Sequence, residues 1–104
     1  MISAQRRSPR YPFFASANII EPRTGVHLTG RTSELSRHGC YLDMMNPLPV
    51  GSLIKVEIVN HEKTLESRGH VIYSQSNMGM AVAFDELSAR DAQILENWLH
   101  QLKG

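Results

Sequence analysis

The hydrophobic pattern of the chain changes its period once, between residues 84 and 88, and this change constrains the fold most strongly. Before it, short runs alternate apolar with polar residues, as where Ile54, Val56 and Ile58 are interleaved with Lys55 and Glu57. Such alternation predicts strands with one buried and one solvent-facing side. Six such runs, separated by turn residues, span positions 13–20, 26–32, 40–44, 53–59, 65–75 and 78–84.

The last segment has the period of a helix. The run Ser88-Ala-Arg-Asp91 is a start of the capping-box type, in which a serine side chain accepts from a backbone amide of the first turn. Five apolar residues then recur at helical spacing, namely Ile94, Leu95, Trp98, Leu99 and Leu102. They predict an amphipathic helix over residues 88–103 that packs on the open end or the flank of the strands.

The expected fold is all-β with a C-terminal helix, in which six strands form an antiparallel meander that closes as a small β-barrel. A length of 104 residues allows one domain. We expect a flexible, arginine-rich tail over residues 1–12 and the barrel with its helix over residues 13–104. The hydrophobic share of 41% disfavours intrinsic disorder of the chain as a whole. The lack of a long apolar run or a signal sequence, together with a single cysteine, Cys40, predicts a cytoplasmic protein.

Charge is unevenly distributed, although the net charge is only +1. Residues 1–40 contain six arginines and two acids (+4), whereas residues 41–104 contain five basic and eight acidic residues (−3). A guanidinium binds phosphate through two donors and stacks on flat rings, so this enrichment in arginine indicates a partner with phosphates or aromatic rings. A solvated basic tail is the alternative.

Two short motifs stand out. The first, R-x-x-x-R, begins at Arg6, ends at Arg10 and contains Arg7. The second, acid-x-Ser-x-x-Gly, runs from Glu34 to Gly39 and is expected to be a turn between two strands. Taken alone, the second motif is also explained by a Ser/Gly turn that is closed by hydroxyl–backbone hydrogen bonds.

The order of these motifs, strands and helix resembles the PilZ domain family over nearly the whole chain. The resemblance implies a six-stranded antiparallel barrel that binds cyclic di-GMP, a bacterial second messenger with two guanine rings and two phosphates. It implies that the N-terminal arginines engage phosphates or guanine faces and that the second motif reads a guanine edge. The implied binding residues are Arg6, Arg7, Arg10, Glu34, Ser36, Arg37 and Gly39, with His38 as a further contact.

Glu34 departs from the family pattern, which usually has Asp or Asn at this position. The extra methylene moves the carboxylate by about one bond length and changes its hydrogen bonds to guanine. One charge-assisted hydrogen bond contributes about 1.5–3 kcal/mol, so losing it weakens binding about 10- to 100-fold. We therefore expect binding that is retained but weaker.

Three other function classes compete with a nucleotide receptor. A protein-interaction adaptor that binds no nucleotide is the main alternative, because some members of the family act through protein contacts. Binding of single-stranded nucleic acid is disfavoured, since the strands beyond residue 40 are net acidic and carry few aromatic residues. Catalysis is disfavoured because Ser36 and His38 lack a third orienting group.

The expected partners are cyclic di-GMP and a downstream protein, with no nucleic acid and no membrane. No bound cofactor is expected. A metal site is not expected either, because the five histidines have no metal-ligand spacing. On this interpretation, ligand binding orders the N-terminal tail, and the ordered tail is the output signal.

Overall fold

The structure, a computed structural model, describes residues 8–104. These residues contain seven antiparallel strands and one helix. The predicted binding residues Arg6 and Arg7 lie outside this range. The elements are β1 (Tyr11–Pro12), β2 (Ser16–Glu21), β3 (Val26–Leu35), β4 (Gly39–Asp43), β5 (Leu53–Asn60), β6 (Lys63–Gln75), β7 (Gly79–Glu86) and α1 (Ala89–Lys103).

Six of the strands close into a barrel in the order β3-β2-β5-β6-β7-β4, with β4 pairing back onto β3. The short β1 is an extra strand on β3. This architecture confirms the predicted fold class. The strand order is not a single meander, because β5 pairs with β2 rather than with β4. Two three-stranded meanders are instead joined by the proline-containing segment 44–52, which is long enough to carry the chain across to β2.

The barrel interior is apolar and follows the predicted alternation. Ile54, Val56 and Ile58 of β5 are buried, as are Val71 of β6 and Val82 of β7. One buried polar side chain, Thr32, joins the entering chain to β3. Its hydroxyl accepts a hydrogen bond from the Ala15 amide at 2.9 Å and donates to the Phe13 carbonyl at 2.7 Å. The chain that follows the arginine motif is thereby fixed on β3.

Helix α1 begins after Ser88, as the capping pattern predicts. The Ser88 hydroxyl accepts from the Asp91 amide at 3.1 Å, and the Asp91 carboxylate accepts from the Glu66 amide of β6 at 3.0 Å. The Trp98 ring packs against Phe13 with centroids 5.1 Å apart. The apolar face of the helix is therefore covered by the barrel. Within residues 8–104 no helix has the length and apolar character needed to cross a membrane.

Two element boundaries differ from the sequence-based expectation. Tyr11 and Pro12, within the range assigned to the tail, already pair with Leu35 and Glu34 of β3. Strand β3 does not end at residue 32, since a bulge after Thr32 lets it continue to Leu35. Glu34 consequently lies on a strand, and only residues 36–38 form the turn.

Candidate functional site

A groove of about 300 Å³ opens on the outer surface of the barrel, between residues 8–10 and strands β3, β4 and β7. Five of its lining residues come from the second motif, namely Glu34, Leu35, Ser36, His38 and Gly39. Arg10 lines the groove from the opposite side. The fold thus brings the described end of the arginine motif and the second motif to one concave surface.

Arg10 and Glu34 form an ion pair across this groove, with Nη1 and Oε1 3.7 Å apart. Pairing of Pro12 with Glu34 positions the two side chains, because Arg10 is two residues before Pro12. Both are about half exposed. Exposed ion pairs of this kind contribute only about 0–1 kcal/mol, so the Arg10 guanidinium is available to a competing anion.

The turn of the second motif is closed by its own hydrogen bonds. The Ser36 amide donates to the Gly39 carbonyl at 2.9 Å, and the His38 amide donates to the Ser36 hydroxyl at 3.2 Å. Gly39 pairs with Ala83 of β7, and a Cβ there would be 2.0 Å from the Val82 carbonyl oxygen. Ser36 and Gly39 therefore shape the groove through the backbone.

Arg37 lies in the same turn, but its guanidinium faces α1. Its Nη1 donates to the Glu96 carboxylate at 2.9 Å, and Nη2 donates to the other oxygen at 3.4 Å. The structure therefore brings together Arg10, Glu34, Ser36 and Gly39 but places the Arg37 side chain outside the groove.

The floor of the groove contains residues that the two motifs do not include. Ala81 and Ala83 of β7 face outward, and Tyr41 lies between Glu34 and Ala81 in the cross-strand row. Ile72 of β6 completes the lining on the far side. Small residues on the solvent face leave a shallow floor that a planar ring can cover. The alternation of Gly79, Ala81 and Ala83 in the sequence is the signal that indicates such a floor.

Titratable groups of the floor stay neutral near pH 7. Burial raises the pKa of the Tyr41 phenol, and the nearby Tyr73, Asp43 and Glu34 raise it further. The phenol is therefore a hydrogen-bond donor at neutral pH. Burial raises the pKa of the Cys40 thiol to about 12, which leaves it unreactive. Among the described residues no group of three His, Cys, Asp or Glu side chains is placed to hold a metal ion.

Ser8, the first described residue, contacts the second motif directly. Its hydroxyl oxygen lies 2.6 Å from Nδ1 of His38, and the two atoms share a hydrogen bond. The His38 backbone is in turn held by the Phe84 amide, which donates to the His38 carbonyl at 2.8 Å. Residues 8–10 are thus held near the groove by contacts at both Ser8 and Arg10.

The family model described as the PilZ domain matches residues 4–101 of the sequence. The chain belongs to the PilZ domain family. PilZ domains are typically receptors for cyclic di-GMP, and they are ligand-binding and regulatory modules rather than enzymes. A search among curated proteins found no match to this PilZ domain.

Solved structures with a similar fold include two PilZ domains and an inhibitor of motility. The PilZ domain of CeSA from a cellulose-synthesizing bacterium has 17% identity and a TM-score of 0.73, with 93% of this chain and 100% of that chain covered. The PilZ domain of YcgR from Escherichia coli, determined with cyclic di-GMP, has 16% identity and a TM-score of 0.71, covering 95% and 92%. Bacillus subtilis MotI/DgrA, an inhibitor of motility, has 15% identity and a TM-score of 0.74, covering 94% and 51%. At these identities the likeness shows the shared fold.

Proposed function

We propose that this PilZ domain is a receptor for cyclic di-GMP, which binds in the groove between residues 8–10 and strands β3, β4 and β7. The observation that carries the proposal is the convergence of the two motifs, since Arg10 lies 3.7 Å from Glu34 across the groove. The YcgR PilZ domain, which has the same fold, was determined with this ligand.

In this proposal the N-terminal arginines bind the phosphates. The ligand is a dianion, and Arg10 exchanges its weak ion pair with Glu34 for a phosphate, to which it donates two hydrogen bonds. Arg6 and Arg7 supply further guanidinium groups from the same segment. This exchange also frees the Glu34 carboxylate for the base.

Base recognition falls to the second motif and the floor. A guanine ring lies over Ala81 and Ala83, and the freed Glu34 carboxylate accepts from guanine N1–H and the exocyclic amine. Ser36 and Gly39 keep the β3–β4 turn close to β7, so that backbone groups approach the base. Arg37 reaches the ligand only when it leaves Glu96, and we assign it a secondary role.

The proposed output is a change in the N-terminal segment. Residues 8–12 already contact the barrel, so the change consists of Arg10 moving from Glu34 to a phosphate and of Arg6 and Arg7 binding the same ligand. A downstream protein recognises the altered surface. In this role the protein is a cytoplasmic bacterial receptor without catalytic activity, which binds neither nucleic acid nor membranes.

Calorimetric titration with cyclic di-GMP tests the proposal, with GTP and cyclic GMP as matched controls. We expect saturable heat for cyclic di-GMP alone, with one or two nucleotides per chain. Equal heats for all three nucleotides, or none for any, would overturn it.

A second candidate is an adaptor that acts without nucleotide. It is favoured by the Arg10–Glu34 pair, because the carboxylate expected to read guanine is already engaged by an arginine. The same titration separates the two functions, since an adaptor of this kind gives no heat with any nucleotide.

A further inference from the structure

The surface that adjoins the groove, and shares residues 72 and 81–83 with it, is poor in charge. Residues 44–54 and 69–84, which are 11 and 16 residues long, contain no Asp, Glu, Lys or Arg. Charged residues make up 20% of the chain. At that share, these 27 positions would hold about five of them, so their complete absence marks a distinct part of the surface.

Large apolar side chains are exposed in these two segments. Six of the eight that are exposed among the described residues belong to them, each more than half exposed: Met45, Val50, Leu53, Ile72, Tyr73 and Met78. We call these six side chains the uncharged patch. Exposed apolar residues are normal singly, whereas a cluster of this kind marks an interaction site.

The six residues are neighbours in the fold. The Met45 carbonyl accepts from the Asn77 amide at 2.8 Å, and the Met44 amide donates to the Met78 carbonyl at 3.2 Å, which brings Met45 beside Met78. On the other side, the Gly51 amide donates to the Val71 carbonyl at 2.8 Å. Val50 is thereby placed beside the β6 segment that carries Ile72.

A bulge in β6 creates the centre of the patch. The register shifts between Val71 and Tyr73, so that Ile72 and Tyr73 are both exposed although they are consecutive. A regular strand would have turned one of them inward. Leu53 of β5 pairs with His70 and extends the patch across the neighbouring strand.

Charges at the edge of the patch balance in sign. Arg31 forms an ion pair with Asp43 at 3.2 Å and Lys55 one with Glu66 at 3.9 Å. Arg68 and Asp85, which flank the second segment, add one charge of each sign. The edge therefore offers neither sign in excess, which disfavours nucleic acid, anionic membranes and strongly charged proteins as occupants. A face that is apolar at its centre and balanced at its edge is complementary to another face of the same kind.

We propose that the occupant of the uncharged patch is a second copy of this chain, in a two-fold symmetric dimer. A two-fold interface places the same patch on both subunits, so an uncharged surface packs against an identical uncharged surface without electrostatic repulsion. The six barrel strands are each paired on both sides within residues 8–104. Side chains rather than strand edges must therefore make the contact. The proposal does not depend on nucleotide binding.

Sedimentation equilibrium of the full chain without nucleotide tests the dimer. At chain concentrations of about 10–100 µM, where weak specific dimers assemble, we expect twice the chain mass of 11.7 kDa. L53K and M78K each place a lysine within the buried contact and should weaken association about 100-fold or more. Q101K adds the same charge at an exposed position of α1 and should leave association unchanged.

A monomeric wild-type chain over this concentration range would overturn the proposal and leave the patch to a different protein. If Q101K weakened association as much as L53K and M78K, the proposal would also be overturned, because the weakening would then depend on the net charge of the chain rather than on the patch. Circular dichroism of all three variants verifies that they are folded, which is expected since each position is exposed.

Discussion

The guanidinium of Arg37 pairs with the Glu96 carboxylate at 2.9 Å, and this contact joins the turn beside the groove to helix α1. A second contact joins the same helix to the chain that follows the arginine motif, since Trp98 packs on Phe13, three residues after Arg10. The second motif and the segment after Arg10 therefore both contact α1. We expect ligand binding in the groove to change the packing of helix α1.

Trp98 provides a direct signal for this coupling, because it is the single tryptophan of the chain. Cyclic di-GMP should change its fluorescence emission, since moving Arg10 onto a phosphate shifts the backbone that carries Phe13. The change should saturate with the calorimetric binding curve and should be absent in R10A. Binding measured by calorimetry with unchanged emission would show that α1 does not respond to the groove.

Shortening Glu34 to aspartate should strengthen cyclic di-GMP binding. E34D removes the extra methylene, restores the residue usual in the family and weakens the competing ion pair with Arg10 at 3.7 Å. We expect about a tenfold gain in affinity, the value of roughly one improved charge-assisted hydrogen bond. Calorimetry on E34D and on E57D, which makes the same change on β5, measures this. A tenfold loss in E34D would mean that the longer carboxylate fits the base better.

Gly39 should tolerate no side chain. A Cβ at this position meets the Val82 carbonyl oxygen at 2.0 Å, so G39A must push β4 away from β7. We expect a loss of about 3 kcal/mol or more in the free energy of unfolding. G30A is the matched control, since its closest contact would be 3.2 Å from the Asp43 carbonyl oxygen. Urea unfolding of both variants measures these losses in stability. Equal losses in G39A and G30A would contradict the close approach at Gly39.

Alkaline pH should destabilise the fold through Cys40. The folded pKa of about 12 lies above the ordinary thiol pKa of 9.0, so the unfolded chain releases the thiol proton first. Stability from this group is complete below pH 9 and is lost as the pH rises toward 12. The expected loss between pH 8 and pH 10 is on the order of 1 kcal/mol. C40A lacks this contribution, so the difference between wild type and C40A in urea unfolding isolates it. A pH-independent difference would contradict it.

Local patterns predicted most of the fold. The alternation around Val56 and the helical spacing around Trp98 each depend on one element, and both were confirmed. Local patterns do not predict which strands pair with each other. The sequence of segment 44–52 does not predict that β5 pairs with β2, because this pairing depends on how the whole barrel closes. The single-meander order was wrong for this reason.

The site was predictable as a set of residues but not as an arrangement. The two motifs selected Arg10 and Glu34 without showing that Pro12 pairs beside Glu34 and brings them together. The family resemblance predicts Arg37 as a ligand contact, whereas its partner Glu96 is 59 residues away, beyond any local pattern. Whether Arg37 also contacts ligand stays a prediction.

The measurement that tests the central claim most directly is calorimetric titration of cyclic di-GMP into wild type, R10A and R23A. Arg23 is exposed in the β2–β3 turn, at the opposite end of β3 from the groove, and R23A removes the same charge. We predict that the wild type and R23A bind equally and that R10A binds about 10- to 100-fold more weakly, the loss of a charge-assisted phosphate contact. Unchanged affinity in R10A, or equal weakening in R23A, would contradict binding in this groove.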